Sequence, residues 1–284
     1  MTAALRLGTS SWSEKGWVGS FYPRGTAPRD FLAHYATHFD TVEADNTYYA
    51  VPGRELVRGW ESKLPAGFLM SAKFPRSIVH CGQGPQPAGE RVLARGVVDE
   101  QRDAFLQAMR LMGQKCGPLV LQFPYFNRRA FSSPGPFLER LDWFLGSLPA
   151  DFRYAVEVRN KAWVGSDLLT LLRGHGVALV LVDLPYMPHA SRLAEQLGGP
   201  EALETADFLY VRLIGDRQAT DALTRTFREI VLDRSAELGR WADFLRPAVA
   251  RATETFVYAN NHFAGHGPAT IRELAKLLAQ GEGA

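Results

Sequence analysis

The 284-residue sequence predicts an α/β protein, a TIM-type (β/α)8 barrel that forms a single domain over residues 1–284. Eight short apolar or β-branched runs recur along the chain, and a polar cluster and a helix-like segment follow most of them. The length also fits, since such barrels typically have about 250 residues. No Ser/Gly-rich linker or shift in composition divides the chain. An open doubly wound sheet is the main alternative, and it is disfavoured because no Gly-x-Gly-x-x-Gly turn follows the first run.

The eight runs give the predicted strands in chain order. They are LRLGTS (5–10), FDTVEADNTYY (39–49), GFLMSAKFP (67–75), GPLVLQFP (117–124), FRYAVEVRN (152–160), GVALVLVDLP (176–185), DFLYVRLIGD (207–216) and ETFVYANNH (254–262). Apolar residues at helical spacing predict helices within 27–39, 51–64, 97–113, 134–148, 166–176, 236–252 and 268–280. Two long connections, 75–96 and 124–136, contain no such pattern, and long structureless loops are often functional.

The composition limits the classes of function. The formal net charge of +2 argues against a polybasic nucleic-acid binder, although a local basic groove remains compatible with it. Cys81 and Cys116 match no zinc-binding spacing, so we expect free thiols in a reducing compartment. The first residues lack the apolar core of a signal peptide, and no apolar stretch reaches the roughly 18 residues of a membrane span. We therefore expect a cytoplasmic protein without a membrane partner.

Polar or charged residues stand at the end of every predicted strand. In a barrel, these ends and the loops after them form the active site. In strand order the candidates are Ser10 and Trp12; Glu43, Asn46, Tyr48 and Tyr49; Lys73; Gln122; Glu157, Arg159 and Trp163; Asp183; Arg212 and Asp216; and Asn260, Asn261 and His262. Any one of these could be an ordinary ion-pair partner, but the complete set favours a ligand site.

The residue types indicate separate roles at this site. Glu43 and Glu157 form the best carboxylate pair for general acid/base work, and Lys73 is the third catalytic candidate. The cations Lys73, Arg159 and Arg212 suit an anionic substrate group. The side chains of Asn46, Gln122, Asn260 and Asn261 suit hydroxyls. The aromatic rings of Trp12, Tyr48, Tyr49 and Trp163 suit stacking on a sugar ring or base, or they cap the core.

Glu157 raises a specific question, because it lies within an apolar run that predicts a buried strand. Burying an unpaired carboxylate costs several kcal/mol. Glu157 and Arg159 share one face of the strand, since side chains alternate. We therefore expect both to point into a polar mouth, where Lys73 or Arg212 neutralises the carboxylate.

No organic cofactor is expected, and a divalent metal is left open. Glu43, Glu157, Asp183 and His262 offer oxygen and nitrogen ligands. However, no His-x-x-x-His spacing occurs, and the three cations would compete with a metal ion. The chain also lacks the Gly-x-Ser-x-Gly nucleophile elbow and the phosphate-binding P-loop.

Several motifs in a fixed order resemble those of the domain-of-unknown-function family 72, the YecE-like proteins. They are GTSSW with FYP, TVEADNTYY, SAKFP, LQFP, EVRNKAW, VDLP, YVRLIGD and YANNHFAGHGP, and they run from about residue 5 to about residue 278. The resemblance implies a TIM-type barrel with a polar cavity at the strand carboxyl ends. That barrel is similar to those of AP endonucleases and sugar isomerases. The resemblance gives no role to Asp45.

Two functions follow as expectations. The first is an enzyme, of the hydrolase, lyase or isomerase type, that uses acid/base chemistry on a polar anionic sugar-like or nucleotide-like substrate. The alternative is a nucleic-acid-binding protein or a metal-dependent, nuclease-like phosphoesterase, with phosphate contacts from Lys15, Arg24, Arg29, Arg128 and Arg129. A non-catalytic sensor with the same pocket is a third reading. The small net charge favours the first, and the oligomeric state stays open.

Overall fold

The computed structural model describes residues 4–280 and contains one barrel of eight parallel strands. The strands are β1 (Ala4–Thr9), β2 (Thr41–Ala44), β3 (Leu69–Lys73), β4 (Cys116–Gln122), β5 (Tyr154–Glu157), β6 (Ala178–Asp183), β7 (Phe208–Leu213) and β8 (Glu254–Ala259). Hydrogen bonding joins them in the order β1-β8-β7-β6-β5-β4-β3-β2. Each predicted run overlaps one of these strands, so the predicted single-domain α/β barrel is confirmed.

The barrel is nearly closed, and its seam lies between β1 and β2. Gly8 allows β1 and β2 to approach closely, because a Cβ at this position would lie 2.3 Å from the backbone oxygen of Thr41. Tyr35 bridges the seam from outside the barrel. Its hydroxyl accepts from the backbone N–H of Thr9 at 2.8 Å and donates to the Thr41 carbonyl at 3.2 Å.

Helices surround the strands. They are α1 (Phe31–Tyr35), α2 (Arg54–Glu61), α3 (Arg76–Val79), α4 (Asp99–Met109), α5 (Pro134–Gly146), α6 (Ser166–Gly174), α7 (Ala190–Leu197), α8 (Arg217–Leu223), α9 (Ser235–Arg251), α10 (Asn261–Ala264) and α11 (Gly267–Ala279). Each of the seven predicted helical segments overlaps one of these helices. The sequence did not predict α3, α7, α8 or α10. The helix α8 buries only Thr220, so it has no apolar periodicity to detect, and its start is fixed by the cap of Asp216.

Side chains alternate between two cores, as strand geometry requires. The outer core lies between strands and helices. The inner core fills the barrel with Val120, Ala155, Ala178, Val180, Phe208, Tyr210, Phe256 and Tyr258. By the same alternation, Gln122, Glu157 and Arg212 lie on the inner face, one layer nearer the strand carboxyl ends.

An ion network lies at the end of the barrel where the strands begin. Glu254 accepts from Arg6 Nε and from Arg153 Nη1, each at 2.6 Å. Both cysteines are free thiols, as the sequence predicts. Within residues 4–280, no helix has the length and hydropathy of a membrane-spanning segment.

Candidate functional site

Arg212, on β7, occupies the centre of a polar cluster at the carboxyl end of the barrel. Its side chain is only 2% exposed. It donates to Glu43 Oε1 from Nη2 at 2.8 Å and from Nε at 3.1 Å. Its Nη1 donates to Gln122 Oε1 at 2.7 Å and to Glu157 Oε2. One guanidinium therefore connects side chains from β2, β4 and β5 across the barrel.

Glu43 is fully buried and has a partner at each carboxylate oxygen. Besides Arg212, its Oε1 lies 3.3 Å from Lys73 Nζ. Its Oε2 accepts from the Tyr210 hydroxyl at 2.7 Å. Burial would raise the pKa of Glu43, but the charges of Arg212 and Lys73 outweigh it and lower the pKa to about 2. Glu43 is therefore held as a carboxylate at neutral pH.

Glu157 is placed as the sequence predicts, inside the barrel mouth and paired with cations. Its Oε2 accepts from Arg212 Nη1, and its Oε1 accepts from Arg159 Nε at 2.8 Å. Burial is opposed by the charges of Arg212 and Arg159, and the net effect lowers the pKa of Glu157. The expected neutralisation by Arg212 thus accounts for a charged residue within an apolar strand.

Lys73, at the end of β3, contacts a second carboxylate that the sequence left without a role. Its Nζ donates to Asp45 Oδ1. Asp45 opens the turn after β2, and 34% of its side chain is exposed, whereas the side chain of Glu43 is 0% exposed. Burial of the carboxyl group raises the pKa of Asp45 above its usual value, against the opposing charge of Lys73. By side-chain exposure, Asp45 is the least buried carboxylate of the cluster.

The formal charges of the cluster balance. The cations are Lys73, Arg159 and Arg212, and the carboxylates are Glu43, Asp45 and Glu157. A charge-balanced, hydrogen-bonded network can remain ionised in a low-dielectric interior, whereas isolated charges would neutralise.

Arg159 and Tyr48 lie at the mouth above this network. Arg159 is 26% exposed, and within residues 4–280 its only side-chain hydrogen bond runs from Nε to Glu157. Burial raises the pKa of the Tyr48 hydroxyl, and the charges of Arg76 and Arg159 oppose the rise. In the described part of the chain that hydroxyl has no hydrogen-bond partner. The terminal nitrogens of Arg159 and the phenol of Tyr48 are thus available to a ligand.

Ser10, Asn260 and His262 line the side of the mouth formed by β1 and β8. Asn260 Oδ1 accepts from the backbone N–H of His262 at 3.0 Å and contacts His262 Nδ1 at 2.8 Å. His262 Nε2 lies 3.3 Å from Asp221 Oδ1. Burial lowers the pKa of His262, and Asp45 is among the carboxylates that oppose this. The buried Ser10 hydroxyl finds no partner among residues 4–280.

The aromatic candidates divide between core and rim. Trp12 packs edge-on against Trp60, with ring centroids 5.7 Å apart. Trp163 packs against Phe126 and Phe137, at 5.9 and 5.2 Å. Both tryptophans therefore pack on the core, which is the second of the two roles that the sequence allowed. In contrast, 77% of Tyr49 is exposed at the rim.

Two asparagine candidates lie outside the cluster. Asn46 is exposed on the turn Asp45–Tyr48. Asn261 Oδ1 accepts from Trp17 Nε1 at 3.2 Å and from the Gly267 backbone N–H at 2.9 Å, so it fastens the chain between α10 and α11.

Asp183 ends β6 but faces away from the cluster. Its Oδ2 accepts from Trp241 Nε1 at 2.7 Å, and its Oδ1 lies 3.3 Å from Arg234 Nη2. Both partners come from the segment around α9, outside the barrel. Strand alternation explains this, because Asp183 shares its face with Leu179 and Leu181 of the outer core.

The four candidate metal ligands are dispersed. Glu43 and Glu157 are bound to Arg212, Asp183 contacts Trp241, and His262 contacts Asn260 and Asp221. In the chain from residue 4 to residue 280, no three His, Cys, Asp or Glu side chains are grouped to hold a metal ion. The donors that the sequence offered therefore do not converge on one metal position.

Sequence reasoning missed two members of the cluster, Asp45 and Tyr210. Strand alternation could have identified both, because Asp45 stands two residues after Glu43 and Tyr210 stands two residues before Arg212. Tyr210 was not recognised as a site residue, because a tyrosine within an apolar run has the same sequence pattern as any aromatic residue of the core.

Two cavities of about 540 and 550 Å³ lie away from the mouth, one beside β1 and α11 and the other between α9 and α11. Mixed apolar and charged side chains line both, without a cluster of convergent polar groups. We therefore take the cluster around Arg212, rather than the larger cavities, as the candidate functional site, because the buried charges and the shifted pKa values occur there.

A nearly closed parallel barrel with a charged cluster at its strand carboxyl ends defines the class, that of TIM-barrel-like proteins with a candidate ligand site in the usual position. The chain belongs to the family described as "Protein of unknown function DUF72", whose pattern matches residues 6–284. The resemblance noted in the sequence is thereby confirmed.

Relatives and solved structures agree with this membership. The UPF0759 protein YecE of Escherichia coli (strain K12) is 29% identical, over 86% of this chain and 84% of that protein. The UPF0759 protein YunF of Bacillus subtilis (strain 168) is 22% identical, over 96% and 94%. A DUF72 family structure from Thermotoga maritima MSB8 has a TM-score of 0.67 at 25% identity, covering 97% of this chain and 99% of that one. Another, from Enterococcus faecalis V583, has a TM-score of 0.68 at 21% identity, over 97% and 95%. These matches establish the family and fold and assign no activity.

Proposed function

We propose that the protein is an enzyme that performs acid/base chemistry on a small, polar, anionic substrate at the carboxyl end of the barrel. The observation that carries this proposal is the hydrogen bonding of the Arg159 guanidinium. Its Nε is fixed by Glu157, while Nη1 and Nη2 have no acceptor within residues 4–280. A guanidinium held in this way presents two parallel donors, which match the oxygens of a carboxylate or phosphate.

Proton transfer is assigned to Lys73 and Asp45. These two groups contact each other, and Asp45 reaches solvent. Glu43 and Glu157, the carboxylates that the sequence nominated for this role, have both oxygens engaged and lowered pKa values. In this proposal they hold Lys73, Arg159 and Arg212 in place. A general base must be able to accept a proton, and Asp45 is the better placed for that.

A ligand screen with a matched variant tests the anion anchor. Thermal unfolding is measured with sugar phosphates, sugar acids and nucleoside monophosphates for the wild type, Arg159→Gln and the control Arg58→Gln. Arg58 is more than half exposed on α2, and among residues 4–280 it pairs only with Glu55. We expect stabilisation of the wild type and the control by one class of anion and a loss of that shift in Arg159→Gln. Equal shifts in all three proteins would contradict the anchor.

Turnover separates an enzyme from a sensor. Any anion that stabilises the wild type is incubated with it, and products are followed by NMR. Conversion in the wild type with a loss of at least about 100-fold in Asp45→Asn supports acid/base catalysis. Tight binding without conversion would instead identify a sensor.

Nucleic-acid binding is the second candidate, and one observation favours it. Tyr125 is 62% exposed on the loop after β4, and Arg128 and Arg129 are exposed on the same loop. Exposed aromatic and cationic groups together suit a single strand. Fluorescence anisotropy with labelled single-stranded DNA should then show affinity that falls steeply with salt and weakens in the double variant Arg128→Ser/Arg129→Ser. Absent or salt-independent binding would exclude this candidate.

A further inference from the structure

We infer that the mouth contains a hydroxyl-binding subsite, formed by Ser10 and Asn260, on the side opposite Arg159. Together the two ends define the substrate class as a polyhydroxylated carbon chain with an anionic group at one end. This inference rests on the proposed function, because Arg159 is its anionic anchor.

Ser10 supplies the first observation. Its backbone N–H donates to the Ala259 carbonyl at 3.1 Å, so it continues the ladder between β1 and β8. Thr9 contacts Tyr35 on the outer side, and alternation therefore turns Ser10 inward. Ser10 is only 2% exposed, and its Oγ has no hydrogen-bond partner in the described chain. A buried hydroxyl without a partner is unfavourable and rare, so a group from outside the chain is the expected partner.

Asn260 supplies the second observation. In the parallel pairing of β1 with β8, Thr9 lies opposite Ala259. Ser10 and Asn260, the next residues along each strand, therefore lie side by side. The Asn260 oxygen is engaged by His262 through both the backbone N–H and Nδ1. Among residues 4–280 its Nδ2 donates to no acceptor, so Ser10 and Asn260 together offer a hydroxyl and an amide N–H to a ligand.

The strand order sets the distance between the two ends of the site. β1 and β5 stand four strands apart in the eight-stranded order, in either direction around the barrel. The subsite therefore faces Arg159 from across the mouth. Lys73 and Asp45, on β3 and after β2, lie along the path between them. A ligand that reaches both ends would pass beside the Lys73–Asp45 ion pair.

The aromatic residues bear on the choice between a sugar-like and a nucleotide-like ligand. Two of the four candidates for stacking on a base, Trp12 and Trp163, direct their rings to Trp60 and to Phe126, and Tyr49 is exposed at the rim. The inner wall instead presents hydroxyl, amide, carboxylate and ammonium groups. These groups recognise hydroxyls, so the geometry points to a sugar acid or a sugar phosphate.

Calorimetric titration with a matched set of probes tests this inference. D-gluconate carries the anion and the hydroxyls, hexanoate carries only the anion, and sorbitol carries only the hydroxyls. D-glucose 6-phosphate replaces the carboxylate by a phosphate and so distinguishes the two anionic groups. The proteins are the wild type, Arg159→Gln, Ser10→Ala and the control Ser13→Ala, an exposed serine on the following loop. Ser10→Ala removes a hydroxyl that has no partner in the fold, so this variant should fold normally.

We expect gluconate or glucose 6-phosphate to bind the wild type more tightly than hexanoate. Ser10→Ala should weaken that ligand about 3- to 10-fold, which is the effect of one hydrogen bond, and leave hexanoate unchanged. Ser13→Ala should change neither. Arg159→Gln should weaken every anion, whatever its hydroxyls.

The outcomes separate this inference from the proposed function. Equal effects of Ser10→Ala on gluconate and hexanoate, with Arg159 still required, would overturn the hydroxyl subsite alone. Gluconate binding that needs Ser10 but not Arg159 would support the subsite and overturn the anion anchor. A wild type that binds none of the probes overturns both. A crystal of the complex in which Ser10 Oγ contacts only an ordered water would overturn the hydroxyl subsite and leave the anion anchor standing.

Discussion

At the scale of single residues, the buried charges differ in what they can do, although the sequence presents them alike. Glu43 and Glu157 have every oxygen engaged and lowered pKa values, so they organise cations. Asp45 is partly exposed and has a raised pKa. The sequence predicted that charged residues gather at the strand ends. It could not predict which carboxylate stays partly exposed to solvent, because that depends on distances between strands far apart in the chain.

The first prediction concerns the order in which the carboxyl groups titrate. Asp45 should titrate above its usual range, because burial disfavours its charge, and Glu43 should remain ionised down to about pH 2. Side-chain ¹³C NMR of the carboxyl groups measures both, with Asp45→Asn and Glu43→Gln for assignment. An Asp45 signal that titrates below that of Glu43 would contradict the roles assigned here.

At the scale of elements, strand alternation decides which candidates reach the site. It places Glu157, Arg159 and Arg212 inside the barrel, as the sequence predicts, and it turns Asp183 towards α9. The direction of Asp183 could have been read from Leu181, two residues earlier. The positions of Trp12 and Trp163 could not be predicted from the sequence, because each ring packs against a ring from a different helix or loop.

The second prediction concerns the seam between β1 and β2. Gly8→Ala should destabilise the fold by about 1–3 kcal/mol or more, because its Cβ would lie 2.3 Å from a backbone oxygen that cannot move freely. Gly59→Ala is the matched control, since it lies within α2 with no atom within 4 Å of the new Cβ. That variant should gain about 0.5–1 kcal/mol from helix propensity. Urea unfolding measures both, and a neutral Gly8→Ala would show that the seam can open.

At the scale of the whole molecule, the barrel is closed at both ends by ion networks around an inner core. Arg6, Arg153 and Glu254 close the amino end, and the cluster around Arg212 closes the carboxyl end. The two networks differ in exposure, because Arg153 is one-third exposed whereas Arg212 is buried. A buried pair that loses one partner leaves an uncompensated charge, and this makes the carboxyl end the more vulnerable to substitution.

The last prediction follows from this difference. Arg212→Met removes the cation that keeps the pKa values of Glu43 and Glu157 low, so two buried carboxylates lose their main partner. At pH 7 the loss of unfolding free energy should be about 3–5 kcal/mol. In the wild type, the stabilisation from these lowered pKa values is present above the unfolded-state value near 4.5 and is lost as the pH falls through the lowered pKa values, of which that of Glu43 is about 2. The difference between variant and wild type should therefore shrink between pH 7 and pH 3, as protonation relieves the variant's unpaired carboxylates. Urea unfolding at both pH values measures this difference in unfolding free energy. The exposed Arg58→Met is the control, and it should show little change at either pH. A difference that does not vary with pH would mean that Arg212 stabilises the barrel through the packing of its side chain rather than through its charge.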